Sequence, residues 1–546
     1  MKKFVLIAGI IACVFFFFHA RAPLKISPAK PRLVIGIVVD QMRADYIEKY
    51  WSKFGEGGFK RLVQKGFWCK NDHYNYVPTY TGPGHASVFT GATPCAHGII
   101  ANNWYVRETG KYIYCVDDST VKGVGGDAAH GKMSPRNLLM NTFGDQLKSG
   151  DKDSSKVIGI ALKDRGAILP AGHRANAAYW LDNNGNWMSS TYYMKELPQW
   201  VKDFNNRGLS KMYNAQPWNT LLPIASYIES ASDSNGYEGK FGGEKAPVFP
   251  HDIPKLLAAN GGQGIIRSTP NGNSLTKDFA LQTIRSENLG KRNFTDMLTV
   301  SFSSTDYVGH MYGPQSVELE DTYLRLDKDI AQLLDSVDAW LGEKNVLVFL
   351  TADHGAGENP NFLKDNGKDG GFINEKVLAD TLRGFLFRNF GDSLVSAYIN
   401  QEIYFNREVI KKKGLDISKI NNMVRDRILD IEGTNGSVTR EELEGKKYTE
   451  GFMKFVQMGF LPARSGDVYV NYKPGWMEWA PRAGTTHGTC YDYDTHVPLI
   501  WYGWIIQPGS SDDPVETPDI VATLSALTGV KLPPGASGKP IQSLVK

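Results

Sequence analysis

The sequence predicts an α/β protein built on a doubly wound, mostly parallel sheet with large insertions that cap it. Three observations carry that prediction: five short apolar runs of buried-strand type, helical patterns between them, and acids placed just beyond several of the runs. The runs are residues 33–39, 157–162, 297–302, 346–350 and 499–501, each rich in β-branched or large apolar side chains and each expected to be parallel. Before the fourth run, Leu326, Ile330, Leu333, Leu334, Val337 and Leu341 fall at helical spacing. Strand and helix alternation sustained over hundreds of residues argues for helices on both faces of one sheet.

Two stretches break the alternation, about residues 170–290 and 360–475, rich in Gly, Asn, Tyr and Trp or in mixed charge. They read as insertions that cap a site at the carboxyl ends of the strands. The second also reads as an α+β module of its own, because Ile417, Ile420, Val424, Ile428 and Ile431 keep a helical period. The 546 residues have room for three domains, but a single domain over about 30–546 with these insertions fits equally well.

Composition removes several classes of function. Hydrophobic residues make up 42% of the chain and charged residues 22%, too apolar for a disordered chain. The net charge is +3, and the three cations Lys2, Lys3 and Arg21, with no acid among residues 1–22, account for all of it. A nucleic-acid partner is therefore not expected, and affinity for anions must be local to a site.

Lys2 and Lys3 precede an apolar run over residues 4–18, followed by Ala20-Arg21-Ala22, the pattern of a secretory signal over residues 1–22. The run is too short for a membrane span, and no later run is long enough. The expectation is a periplasmic or secreted protein. Ile10-Ile11-Ala12-Cys13 also resembles a bacterial lipobox, which would make Cys13 a lipid anchor on an outer-membrane lipoprotein. Cys69, Cys95, Cys115 and Cys490 match no zinc spacing, and their pairing is not readable.

The acids carry the chemistry. Asp40 ends the first run, Asp306 lies four residues past the third, and Asp353 follows the fourth by three. Parallel strands share one crevice at those ends, so the three carboxylates converge and repel one another unless divalent metal binds them. His310 lies four residues after Asp306, His354 adjoins Asp353, and His487 precedes the last run. An isolated histidine is usually structural, but three Asp with three His form an oxygen and nitrogen set that suits Zn²⁺, with ligands for two ions. The Gly- and Pro-dense loop over residues 77–87 reads first as an ordinary helix cap, and second as a device presenting a threonine hydroxyl at a helix N-terminus. Lys163 and Arg165 alternate across Asp164, which on a strand end would place both on one face. His85, His97, His173 and His496 are read as structural, His496 being the least secure of them.

Taken together, Val39-Asp40-Gln41-Met42, Pro78-Thr79-Tyr80-Thr81, Gly98-Ile99-Ile100-Ala101-Asn102, Leu162-Lys163-Asp164-Arg165, Thr305-Asp306-Tyr307-Val308-Gly309-His310, Ala352-Asp353-His354-Gly355 and Gly484-Thr485-Thr486-His487 resemble the alkaline phosphatase superfamily. More narrowly, they resemble its periplasmic, phosphate-irrepressible alkaline phosphatase branch, in order over about residues 33–542. The resemblance implies a phosphomonoesterase with two Zn²⁺, one held by Asp306, His310 and His487 and the other by Asp40, Asp353 and His354. It implies that Thr81 is the nucleophile at the second ion and forms a phospho-threonine, with Thr79 in support. Asn102 then corresponds to a phosphoryl-oxygen donor, and Lys163 with Arg165 to the pair that separates monoesterases from diesterases. Ala101 departs from the glycine expected before that asparagine. A sulfatase is excluded, since Thr81 cannot supply the oxidised Cys or Ser those relatives use. No third, Mg²⁺ site is assigned. The expected partners are small phosphate monoesters, with the chain a monomer. The alternatives are a phosphodiesterase or nucleotide pyrophosphatase of the same superfamily, and a non-catalytic metal- or phosphate-binding surface protein.

Overall fold

In a computed structural model of the chain, which describes residues 30–127 and 130–545, the apolar runs become the centre of an eleven-stranded sheet. The expected signal over residues 1–22, with Cys13, lies outside the described residues. The strands that position the site are, in chain order, β1 (Leu33–Val39), β2 (Phe67–His73), β3 (Val157–Ala161), β4 (Ala177–Leu181), β5 (Asp296–Phe302), β6 (Val346–Thr351) and β7 (His496–Gly503). They lie side by side in the order β2-β7-β6-β1-β5-β3-β4. β1 is parallel to both β5 and β6, β3 is parallel to β5, and β4 is parallel to β3. Every residue of β1, β5 and β6 is buried, as a strand covered on both faces requires.

One expectation fails here. The run at 499–501 belongs to β7, which is antiparallel to both β6 and β2. A short apolar run has no direction, so its sequence alone does not fix which way it threads the sheet.

Four helices bear on the site: α1 (Thr81–Thr90), α2 (Asp164–Ala171), α3 (Ser304–Tyr312) and α4 (Val317–Leu341). The predicted stripe lies on the 25-residue α4, where Leu326, Ile330, Leu333, Leu334 and Val337 are buried and Leu341 lies at the helix end. Ser316 caps α4 by accepting the Leu319 N–H, and Glu318 and Glu320 occupy its first turn.

The expected insertion at about 170–290 is not separate at its start, because β4 and Trp187–Ser190 join the central sheet. The second insertion holds its own four-stranded sheet, in the order Val395–Ile399, Glu402–Phe405, Val468–Tyr472, Thr434–Thr439. Its hydrophobic cluster includes Leu382, Leu386, Ile403, Ile420, Val424, Ile428 and Val470, so it is a module with its own core. Helix Ile417–Ile428 carries the predicted period, and Ile431 lies beyond its end. Among the described residues, no helix is long and apolar enough to cross a membrane.

Candidate active site

Because β1, β5 and β6 are neighbours and parallel, the residues just beyond their carboxyl ends meet at one edge. Asp40 directly follows β1, Asp353 lies two residues past β6, and Asp306 sits in the first turn of α3 after β5. Asp40 and Asp353 are fully buried and Asp306 nearly so. Ser301 donates to Asp40 Oδ1 at 2.6 Å, while Lys163 Nζ lies 2.9 Å from Asp40 Oδ2 and 2.6 Å from Asp306 Oδ2. Burial opposes the Lys163 charge, but the two carboxylates raise its pKa above the ordinary value. Burial likewise works against ionised Asp306, yet His310 and Lys163 hold it well below the carboxylate range. Asp40 is also held low, by Lys163 and His85 against burial. Asp353 behaves differently: burial and the neighbouring Asp40 push it up to about 7.

Gln41 ties the carboxylates together. Its backbone N–H donates to Asp353 Oδ1 and its Nε2 to Asp306 Oδ1, both at 3.0 Å. The first of these bonds depends on the turn after β1, where Gln41 takes a left-handed φ of 61°, unusual for a residue with a side chain. Gly309 makes room for the second, since a Cβ there would lie 2.0 Å from Gln41 Oε1.

The three predicted histidines share one arrangement. His310 Nδ1 donates to the Thr485 carbonyl at 2.8 Å, His354 Nδ1 to the Gly355 carbonyl at 3.0 Å, and His487 Nδ1 to the Thr79 carbonyl at 2.6 Å. A carbonyl only accepts, so each Nδ1 carries a proton, and in the neutral ring it is Nε2 that holds the lone pair. Those Nε2 atoms face the acids: His310 lies 3.2 Å and His487 3.7 Å from Asp306 Oδ1, and His354 lies 3.3 Å from Asp353 Oδ2. Burial lowers His354 to about 4 and, with His354 and His310 beside it, takes His487 well below the ordinary value, so both rings are neutral and able to act as ligands.

The structure also draws in His85, which the sequence alone marks as structural. Its ring lies 3.5 Å from both Asp40 Oδ1 and Asp353 Oδ2, close enough for these three to form a ligand group by distance alone. Its nitrogens are engaged, however: Nδ1 faces the Thr81 carbonyl at 2.9 Å and Nε2 the Ser301 hydroxyl at 2.8 Å. His85 therefore positions Asp40 and the Thr81 turn, and His354 is the better candidate for a third ligand beside Asp40 and Asp353.

Two groups of donors could each hold a metal ion. Asp306, His310 and His487 form one group, and buried Asp40 Oδ2 and Asp353 Oδ2, neither accepting a well-aligned hydrogen bond, belong to the second.

Thr81 opens α1, a helix whose ten residues are all buried. Its Oγ lies 3.4 Å from His354 Nε2 and 3.5 Å from Arg165 Nη2. The helix comes this close because position 84 is glycine, where a Cβ would lie 2.2 Å from the Asp353 carbonyl oxygen. Asn102 Oδ1 accepts the Gly82 N–H at 2.7 Å, which fixes the amide at the same turn. Arg165 Nη1 donates to Tyr114 Oη at 3.0 Å, and its buried Nε has no acceptor. Lys163 and Arg165 do converge, but not by strand alternation: β3 ends at Ala161, Lys163 is the N-cap of α2, and Arg165 lies in its first turn.

Of the other sequence candidates, Thr79 meets the centre only through its backbone and the rest stay apart from it. Thr79 Oγ donates to the Thr489 carbonyl and its own carbonyl holds His487. His97 bonds Ser87, and His496 stacks on His73 at 4.5 Å with Nε2 on the Lys70 carbonyl. Cys69, Cys95, Cys115 and Cys490 are all free thiols.

Comparison with known proteins agrees with this architecture. The profile of the type I phosphodiesterase / nucleotide pyrophosphatase family matches residues 34–494. Alkaline phosphatase PafA of Elizabethkingia meningoseptica is 42% identical over 520 residues, covering 94% of this chain and 95% of the relative. A crystal structure of wild-type PafA aligns with a TM-score of 0.92 and 42% identity, covering 95% of this chain and 99% of that one. Alkaline phosphatase PhoV of Synechococcus elongatus is 43% identical over 519 residues, covering 95% and 94%. A Myroides odoratus protein named calcium-transporting ATPase is 42% identical over 539 residues, covering 98% of each chain.

Proposed function

The chain belongs to the type I phosphodiesterase / nucleotide pyrophosphatase family of the alkaline phosphatase superfamily, and from that premise we propose that it is an exported alkaline phosphatase that hydrolyses phosphate monoesters at a two-zinc site. The observation that carries this reading is the orientation of three imidazoles, each with Nδ1 on a carbonyl and Nε2 facing buried carboxylates. Asp306, His310 and His487 would hold one Zn²⁺, and Asp40, Asp353 and His354 the other. Bound there, the ions would supply Lewis acidity and positive charge to the phosphoryl oxygens.

The chain's own groups do the rest. Thr81 Oγ, its proton lost to solvent, attacks phosphorus in line as the bond to the ester oxygen breaks and the alcohol, protonated from solvent, departs; the attacking oxyanion is favoured by the N-terminal N–H groups and dipole of α1 and by Arg165. The Asn102 amide, anchored through Oδ1, offers Nδ2 to a non-bridging oxygen. Lys163 and Arg165 bring two charges to the dianion that a monoester presents. Water then cleaves the phospho-threonine and regenerates Thr81. The apolar segment after Lys2 and Lys3 supports export to the periplasm or beyond, either by a cleaved signal or with a lipid anchor at Cys13, and we read the chain as a monomer.

A diesterase shares the metals and Thr81 but has no use for two cations at the phosphoryl group. The name of the Myroides relative implies ion transport, which nothing in this site requires. The test is a ratio. With zinc saturating, the double variant Lys163→Ala, Arg165→Ala should lose roughly two to four powers of ten in kcat/KM on a monoester, at about 1.5–3 kcal/mol per contact. A matched diester should lose far less. Equal losses would remove the basis for preferring a monoesterase.

A further inference from the structure

A guanidinium binds a phosphoryl group well only when one edge of its planar fork faces that group, so the orientation of Arg165 matters as much as its charge. The cap of α2 fixes the Arg165 backbone: Lys163 is the N-cap, and Asp164 Oδ1 accepts the Arg165 N–H at 2.6 Å. From there a long side chain is free to swing, and Tyr114 holds its outer end. Arg165 Nη1 donates to Tyr114 Oη at 3.0 Å. A phenol has one proton to give, and Tyr114 gives it to Asp164 Oδ1 at 2.5 Å, which leaves the oxygen's lone pairs for Nη1. Burial pushes the Tyr114 pKa up against the pull of Arg165, so the proton stays on the phenol.

The tyrosine is itself anchored. It ends the hairpin strand Lys111–Tyr114, paired with Asn103–Val106, and lies opposite Asn103. Its N–H donates to Asp117 Oδ2 at 3.0 Å, its carbonyl accepts Asn137 Nδ2 at 3.3 Å, and the Cys115 N–H donates to the Asn102 carbonyl at 2.8 Å. One hairpin therefore sets both Asn102 and the partner of Arg165. With Nη1 engaged, Arg165 is left with the edge formed by Nε and Nη2: Nη2 lies 3.5 Å from Thr81 Oγ, and Nε is buried with no acceptor. The N–H groups of that edge are parallel and match two oxygens of one phosphoryl group.

We propose that Tyr114, backed by Asp164, is a positioning residue that turns the Nε and Nη2 edge of Arg165 toward the phosphoryl group and so helps to select monoesters over diesters. The proposal rests on the phosphomonoesterase reading and adds a specificity-determining residue to it. Tyr114 makes no contact with substrate in this scheme; its effect passes through Arg165.

The experiment is a double-mutant cycle measured on an aryl monoester and a matched diester at saturating zinc. Tyr114→Phe keeps the ring and removes the oxygen, so kcat/KM should fall roughly tenfold on the monoester and less than about threefold on the diester. In an Arg165→Ala background the same substitution should cost the monoester less than about twofold, because the group it positions is gone. Asp164→Asn keeps an acceptor for the Tyr114 proton and removes only the charge. It should cost the monoester roughly threefold, again only where Arg165 is present, and it carries the test if Tyr114→Phe does not fold. Equal losses on the two esters, a monoester loss of the same size with and without Arg165, or no loss at all would overturn the positioning role while leaving the phosphatase intact. A wild-type protein with no preference for the monoester would instead overturn the monoesterase reading, and this role with it.

Discussion

At the ends of β1, β5 and β6, three imidazoles give Nδ1–H to carbonyls and turn bare Nε2 atoms toward buried carboxylates. His251, in the first insertion, is fully buried and equally close to acids, yet both its nitrogens meet carboxylates: Glu244 at 2.7 Å and Glu318 at 3.2 Å. Burial opposes charge on that ring, but the two glutamates raise its pKa to about 9, so it is an imidazolium that balances local charge. The same residue types therefore build a candidate ligand set in one place and a salt-bridged strut in the other. What distinguishes them is the partner of the second nitrogen, a carbonyl or a carboxylate.

The largest effect that would sharpen this contrast falls on Thr81. Thr81→Ala should lower monoester kcat by at least about three powers of ten while zinc content stays at the wild-type level. A variant that hydrolyses an aryl phosphate at an unchanged rate would remove Thr81 from the role of nucleophile.

How much of the fold and the site is legible in the sequence depends on what kind of contact each residue makes. Asp40 and Asp353 can be placed because each follows a continuous apolar run, and strand ends in a parallel sheet converge by topology. Gln41 cannot, since its role needs a left-handed φ and two acids more than 260 positions away. His85 reads as an ordinary residue of a helical first turn, and only the packing of α1 against the Asp353 turn sets it between two carboxylates. Alternation on a strand is the wrong local reason for the convergence of Lys163 and Arg165, which a helix cap brings about instead. The helical period of residues 417–431 reveals the second insertion as a module of its own, whereas its individual strands stay hidden, because strands such as Thr434–Thr439 carry a polar alternation that resembles a loop. His251 gives no signal at all, because Glu244 and Glu318 reach it from separate segments.

The smallest effect belongs to that strut. His251→Asn should leave zinc content and turnover unchanged but destabilise the fold by on the order of 3 kcal/mol at pH 6, the cost of breaking a buried ion pair. A folded pKa of about 9 against an ordinary 6.5 means the stabilisation is complete below pH 6.5 and is lost as pH rises through 9. Glu318 is also raised, to about 7, by burial and by Asp233, and Glu238, to about 9, by burial and by Glu318, so stability is lost in the same direction as pH rises through these values. The gap between wild type and variant in denaturant unfolding should therefore shrink from pH 6 to pH 10. A constant gap would mean that His251 acts by packing alone.

The most direct test is a zinc titration of metal-stripped protein, following phosphate release from an aryl monoester and bound metal per chain together. Two ligand groups built from Asp306, His310, His487 and from Asp40, Asp353, His354 predict that activity rises to a plateau at two equivalents of Zn²⁺, with Mg²⁺ a poor substitute. A plateau at one equivalent, or full activity with Mg²⁺ alone, would contradict the two-zinc site.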